Sequence, residues 1–235
     1  LQCPLLDVSA GIVAAATALA LRDENAATVA LTAAFARARE HGVRLLPAAP
    51  RQTLAQLCAA ALRHGIETAF ARGLIATGKL APPRSALHLE DWPRPFHVRT
   101  LGGFELLRES TPIEFSKKGP GRPVELLKVL IALGGRNVRA DQLADALWPR
   151  VDADYAHKSF TATLHRLRGI FQADDALLLA DARLSLNAAL FWVDTWAIDY
   201  LLTELEGALR DAPPTPETID FNARVDEVLA LYRGP

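Results

Sequence analysis

The sequence predicts a mainly α-helical fold with a small β component. Half of the 235 residues are hydrophobic, with Ala and Leu most frequent, as is typical of globular, largely helical proteins. Helical patterning extends from Asp7 to Leu80, where short breaks separate Ala-rich pairs of helices. From Phe96 onwards, short β-like runs precede and follow further helices.

Residues 1–80 are predicted to form antiparallel helical hairpins, as in a tetratricopeptide-like solenoid. The segments ATVALTAAFARAREHG and RQTLAQLCAAALRHG each end at a turn signal, although no strict repeat period emerges. The chain starts LQCPLLD, lacks Met and has no secretory signal pattern. We therefore expect a piece of a longer protein, in which further repeats continue the stack.

Residues 81–95 are predicted to be a linker or extended strap, because proline sustains neither a helix nor an inner strand. Trp92 is expected to hold this segment against a neighbouring element, since a Trp in a free linker would expose a large apolar area.

Residues 96–192 contain elements in a recognisable order. FHVRTLGGFELL and TPIEF predict a small antiparallel sheet, and PVELLKVLIALGG and ADQLADALWP predict two helices. A longer helix over 154–172, capped by Asp152 or Asp154, comes before a hairpin in ALLLADARLSLN. Strands, three helices and a hairpin, or wing, are the order of a winged helix, whose third helix enters the DNA major groove.

The helix over 154–172 is predicted to be amphipathic. Phe160, Leu164, Leu167 and Phe171 form an apolar stripe. The opposite face carries small and cationic side chains, namely Lys158, Thr161, Ala162, His165 and Arg166, with Arg168 on its flank. Small side chains permit close approach to a groove and basic ones meet phosphates, although many basic amphipathic helices are simply solvated surface helices.

Four residues of this face are candidates for reading bases. Arg166 could fork onto guanine O6 and N7, with a phosphate contact as the alternative. Thr161 and Ala162 could touch a thymine methyl group, and His165 is either a contact or an ordinary surface histidine.

Other cations are candidates for phosphate contacts, with solvation as the alternative. Lys158 and Arg168 lie at the edges of the face, and the loop SKKGPGR supplies Lys117, Lys118 and Arg122. Arg183 in the hairpin could enter a minor groove, but phosphates would repel the neighbouring Asp181.

The net charge of −1 does not favour nucleic-acid binding, but the distribution of charge along the chain does favour it in the central segment. Residues 96–172 carry twelve Lys/Arg against eight Asp/Glu, whereas residues 173–235 carry four against twelve. No apolar run is long enough to cross a membrane, and the two cysteines suggest neither a zinc site nor a disulfide framework. No catalytic motif appears, so we expect a cytoplasmic protein without enzymatic activity, metal or cofactor.

The ordered series TLGGFEL, PVELLKVLIALGG, LADALWP, SFTATLHRLRGIF, RLSLN and WVDTWA resembles the OmpR-like winged helix that a bacterial transcriptional activator domain follows in many regulators. LCAAALRHGIETAFARGLIATGKLAPP resembles the helical region preceding it in large ATP-dependent LuxR-type regulators. The resemblance implies that residues 193–235, read as two helices around APPTP, begin the activator domain. It also implies double-stranded DNA and RNA polymerase as partners, and a homo-oligomer is expected because a lone winged helix binds weakly.

A different class of function stays open. The acidic tail and near-neutral total charge also fit a protein-interaction scaffold of helical hairpins and a winged helix that does not bind DNA.

Overall fold

A computed structural model describes residues 4–43, 49–115, 121–211 and 219–234. The chain divides into two compact units, Leu1–Pro93 and Arg94–Pro235. Taken together, the described residues are mainly helical with a small mixed β component, which confirms the predicted fold class at that level.

The first unit is built from two helical pairs. α1 (Pro4–Ala20) packs along α2 (Glu24–Glu40), and α3 (Arg51–Arg63) packs on α4 (Thr68–Gly78). Asp23 accepts a hydrogen bond from the backbone N–H of Ala26 at 2.9 Å and so caps α2.

The core of the first unit lies where the four helices meet. A Cβ added at Gly11 would lie 2.9 Å from the Cβ of Ala34, so glycine permits the close approach of α1 and α2. Phe35 is fully buried and lies edge-on to Phe70, with ring centroids 5.4 Å apart. Trp92 is buried in the same core at 1 % exposure, which confirms that the proline-rich segment is pinned by its tryptophan.

The second unit begins with a four-stranded sheet in the order β3-β2-β1-β7. β1 (Phe96–Arg99), β2 (Glu105–Arg108) and β3 (Thr111–Pro112) are antiparallel neighbours, as predicted. β7 (Phe191–Val193) pairs in parallel with β1, with Phe96 opposite Phe191. The sequence did not predict this strand, and it makes the sheet mixed where a purely antiparallel one was expected.

Three helices and a second sheet follow. These are α5 (Gly121–Ala132), α6 (Ala140–Leu147) and α7 (Ala153–Phe171). β4 (Val138–Arg139), β5 (Leu177–Ala180) and β6 (Arg183–Leu186) form an antiparallel sheet in the order β4-β6-β5. The turn between β5 and β6 consists of Asp181 and Ala182 at φ 48° and 56°, the left-handed conformation that two-residue hairpins require.

The remaining helices are α8 (Asp194–Asp211) and α9 (Ile219–Leu231), which pack together. Asp194 is 2 % exposed and joins α8 to the turn after β1. Its carboxylate accepts hydrogen bonds from the Thr100 hydroxyl at 2.9 Å and from the backbone N–H of Leu101 at 2.8 Å. It also accepts from the backbone N–H of Thr100 and, at 2.8 Å, from that of Thr195. A buried carboxylate with four donors is well compensated.

Candidate nucleic-acid interface

α7 has defined ends, which fix the register of every side chain along it. Asp152 caps its start by accepting a hydrogen bond from the Tyr155 backbone N–H at 2.8 Å. Gln172 ends it in a left-handed conformation at φ 52° and donates its backbone N–H to the Arg168 carbonyl. The predicted span of 154–172 is therefore displaced by a single residue, because the last predicted residue is the C-cap.

The apolar stripe of α7 is held by the core of the second unit, as predicted. Its buried members are Phe160, Leu164, Leu167 and Phe171. Phe171 lies 5.0 Å from Phe96 and 4.9 Å from Phe191 between ring centroids, both in edge-on arrangements. β1 and β7 thus anchor the C-terminal end of α7, so its opposite side is held in one orientation.

The opposite side of α7 is exposed along its length. Five predicted contact residues lie there, all of them exposed, namely Lys158, Thr161, Ala162, His165 and Arg166. Among the described residues, neither Lys158 nor Arg166 has an ion-pair partner. The Thr161 hydroxyl donates to the His157 carbonyl at 3.0 Å, which leaves its oxygen able to accept. This face therefore offers two free cations around a small residue, which suits the approach of a polyanion.

Arg168 lies on the flank of the α7 face, as expected, but its guanidinium already has a partner within the protein. It is half-buried, and its guanidinium donates to the Leu177 carbonyl at the start of β5 across 3.3 Å. Since this arginine connects α7 to the hairpin, we leave it out of the candidate interface.

Arg183 in β6 is exposed but already hydrogen-bonded. Its Nη1 donates to the Asn137 carbonyl at 3.0 Å, and the residue directly follows the two-residue turn, next to the hairpin tip. The exposed Asp181 forms part of the tip itself. The tip therefore carries a carboxylate and, immediately after the turn, a guanidinium of opposite charge.

The basic loop before α5 is described in part. Lys117 and Lys118 lie outside the described residues. Arg122 forms an exposed ion pair with Glu125 at 2.7 Å, and its guanidinium lies 6.0 Å from the ring of Trp148. This arginine is therefore less available to phosphate than a free cation would be.

A groove of about 520 Å³ lies beside the start of α7, between α6 and the hairpin tip. Its lining includes five alanines and four aspartates, the latter being Asp141, Asp145, Asp154 and Asp181. The two arginines that line it, Arg139 and Arg183, both have partners. The sequence analysis missed this groove, because its carboxylates come from three separate elements and meet only in the fold.

The ion pair between Arg139 and Asp141 shifts the pKa of both side chains. Arg139 Nε donates to the carboxylate at 3.0 Å. The hydrogen bond from Arg139, followed by that from the Gln142 backbone N–H, lowers the pKa of Asp141. The same hydrogen bond, supported by the negative charge of Asp141, raises the pKa of Arg139. Both groups stay charged at neutral pH, and Arg139 contributes no free positive charge to the groove.

Tyr155 is a candidate contact that the sequence analysis also missed. It is 57 % exposed in the first turn of α7. Its spacing to Lys158, Ala162 and Arg166 places all four on one helical stripe. Tyr155 is neither cationic nor small, the two properties that marked the other residues of this face, although the helical wheel places it on the same stripe.

Comparisons with known proteins do not assign a family. No protein-family model matches the chain, and searches of curated proteins and of solved structures find no match. In the described part of the chain, no three His, Cys, Asp or Glu side chains are grouped to hold a metal ion. Nor does any helix described here combine the length and hydrophobicity that crossing a bilayer requires.

Proposed function

We propose that the second unit is a winged-helix, DNA-binding part of a transcription regulator, with α7 as its recognition helix. The observation that carries this proposal is the exposed stripe of α7, where Lys158 and Arg166 are free of partners beside Ala162. The order of α5, α6, α7 and the β5–β6 hairpin supports it, because a winged helix presents its third helix to the major groove. The DNA-binding part of the second unit is then residues 96–192, which the first unit precedes and α8–α9 follow along the chain.

The roles of individual residues follow from their positions. Lys158 and Arg166 neutralise phosphates or read guanine, while Thr161, Ala162 and His165 line the surface that enters the groove. The hairpin lies beside the recognition helix as a short wing, with Asp181 and Arg183 at its tip. Recruitment of RNA polymerase through flanking surfaces, and assembly of copies on paired sites, complete the proposal and rest on the family resemblance.

A mobility-shift titration of the full chain tests this assignment. The double variant K158A/R166A should weaken binding and reduce the slope of log affinity against log salt by about two, because each lost phosphate contact contributes about 0.9. The matched control is R37A/R210A, which removes the same charge from exposed positions in α2 and α8. If both double variants bind like the original chain, α7 is not the recognition helix.

A protein-interaction scaffold is the second candidate, and the acidic groove beside α7 is the observation that favours it. Asp145, Asp154 and Asp181 line this groove together with five alanines. These carboxylates would attract a basic segment of a partner protein and repel phosphates. A titration with random duplex at low salt separates the two functions. Complete lack of retardation would favour the scaffold.

A further inference from the structure

Tyr155 lies at the N-terminal end of α7, which is the end of a recognition helix that comes close to the bases. It lies in the first turn of the helix, and its backbone N–H is fixed by the Asp152 cap. Its side chain is 57 % exposed, and its phenol has no hydrogen-bond partner among the described residues. A large aromatic surface, more than half of it exposed, is thus held at the N-terminal end of the cationic stripe.

The width of the major groove limits how many residues of α7 can face the bases. The groove is about 12 Å wide and a helix rises about 1.5 Å per residue, so about eight residues fit across it. Tyr155 to Ala162 is such a span. In helix-turn-helix proteins the N-terminal residues of the recognition helix meet base edges, which leaves Arg166 nearer to the backbone at the far side.

The neighbours of Tyr155 determine which chemical group of the DNA its side chain can contact. Asp154 is exposed next to it and repels phosphate, so a hydrogen bond from the phenol to the DNA backbone is disfavoured. Ala162, two turns further along the stripe, leaves space for a base edge beside the ring. An aromatic ring in that position makes apolar contact with the C5 methyl group of thymine, the apolar feature in the major-groove code.

We infer that Tyr155 is a specificity-determining residue, whose ring packs against the C5 methyl group of a thymine in the bound site. This inference rests on the proposed DNA-binding function. Tyr155 does not belong to the cationic or small residues of the α7 face. Its contact would place part of the base preference at the start of the helix.

The test begins with selection of bound sequences from a random duplex pool by the full chain. Each thymine of the selected site is then replaced by uracil, which removes the C5 methyl group and keeps every hydrogen-bonding group. At one position the original chain should bind the uracil duplex about fourfold more weakly, the value expected for one buried methyl group. The Y155A variant should lose this sensitivity, whereas Y155F should keep it.

Y232A is the matched control, because Tyr232 is 59 % exposed at the end of α9. It should retain the full response to uracil. If no thymine shows a methyl effect, or if Y155A shows the same effect as the original chain, the inference is overturned. Loss of the effect in Y155F would also overturn it, since the hydroxyl would then be the contact. Failure of the original chain to select any duplex would instead overturn the proposed function.

Discussion

The outer face of α7 and the β5–β6 hairpin each carry an exposed arginine, but they differ in what that arginine already contacts. Arg166 has no ion-pair partner among the described residues, whereas Arg183 donates to the Asn137 carbonyl at 3.0 Å and follows an acidic turn. Arg168, expected to contact phosphate from the flank of α7, likewise donates to the Leu177 carbonyl at the start of β5. The guanidinium of Arg166 is therefore free to bind a ligand, whereas those of Arg168 and Arg183 each already donate to a backbone carbonyl.

Both regions pack on the core of the second unit, and each also has an exposed face. The back of α7 is anchored by Phe171, which is 2 % exposed, while Leu178 in β5 remains 46 % exposed. F171A should lower the free energy of unfolding by about 3–5 kcal/mol through lost burial and a cavity, and L178A by less than about 1 kcal/mol. Urea denaturation of both variants measures the difference. Equal losses would contradict burial as the cause of the larger effect of F171A.

Because Arg166 has no ion-pair partner in the described part of the chain and Arg183 is already hydrogen-bonded, the two arginines should contribute unequally to DNA binding. R166A should weaken binding to a selected duplex about tenfold, in the range of a lost arginine contact, and R183A less than about threefold. Fluorescence anisotropy at several salt concentrations measures both affinities and their salt slopes. A larger effect of R183A than of R166A would move the interface from α7 to the hairpin.

The sequence predicted α7 almost to the residue, because a repeated apolar stripe and an aspartate cap are local signals. It missed β7, whose three residues Phe191–Val193 pair with β1, some ninety-five positions earlier in the chain. It identified the exposed residues of the α7 face for the same local reason. It could not foresee the partners of Arg168 and Arg183, since these are carbonyls supplied by other elements.

The cap at the start of α7 provides a finer comparison. D152A removes the acceptor for the Tyr155 N–H and should lower the free energy of unfolding by about 1 kcal/mol. D154A removes the same charge from the same turn but leaves the cap intact, so its loss should be smaller. Chemical denaturation distinguishes the two variants, and equal losses would assign the effect to charge alone.

The smallest expected effect concerns the groove beside the hairpin. Because the Arg139 hydrogen bond lowers the pKa of Asp141 in the folded chain, their pairing stabilises the fold at neutral pH. That contribution is lost as the pH falls through the lowered pKa. NMR titration of the Asp141 carboxyl carbon should show a midpoint below the usual range, and R139A should move it upwards. An unchanged midpoint in R139A would remove the stated cause of the shift.

Site-specific photo-crosslinking tests most directly whether the outer face of α7 meets DNA. A photoreactive amino acid is placed in the full chain at Ala162 on α7 or, as exposed controls, at Leu178 on β5 or Ala33 on α2. We predict efficient crosslinking of a selected duplex from position 162 and much weaker crosslinking from positions 33 and 178. Crosslinking from position 33 or 178 with none from 162 would contradict the account.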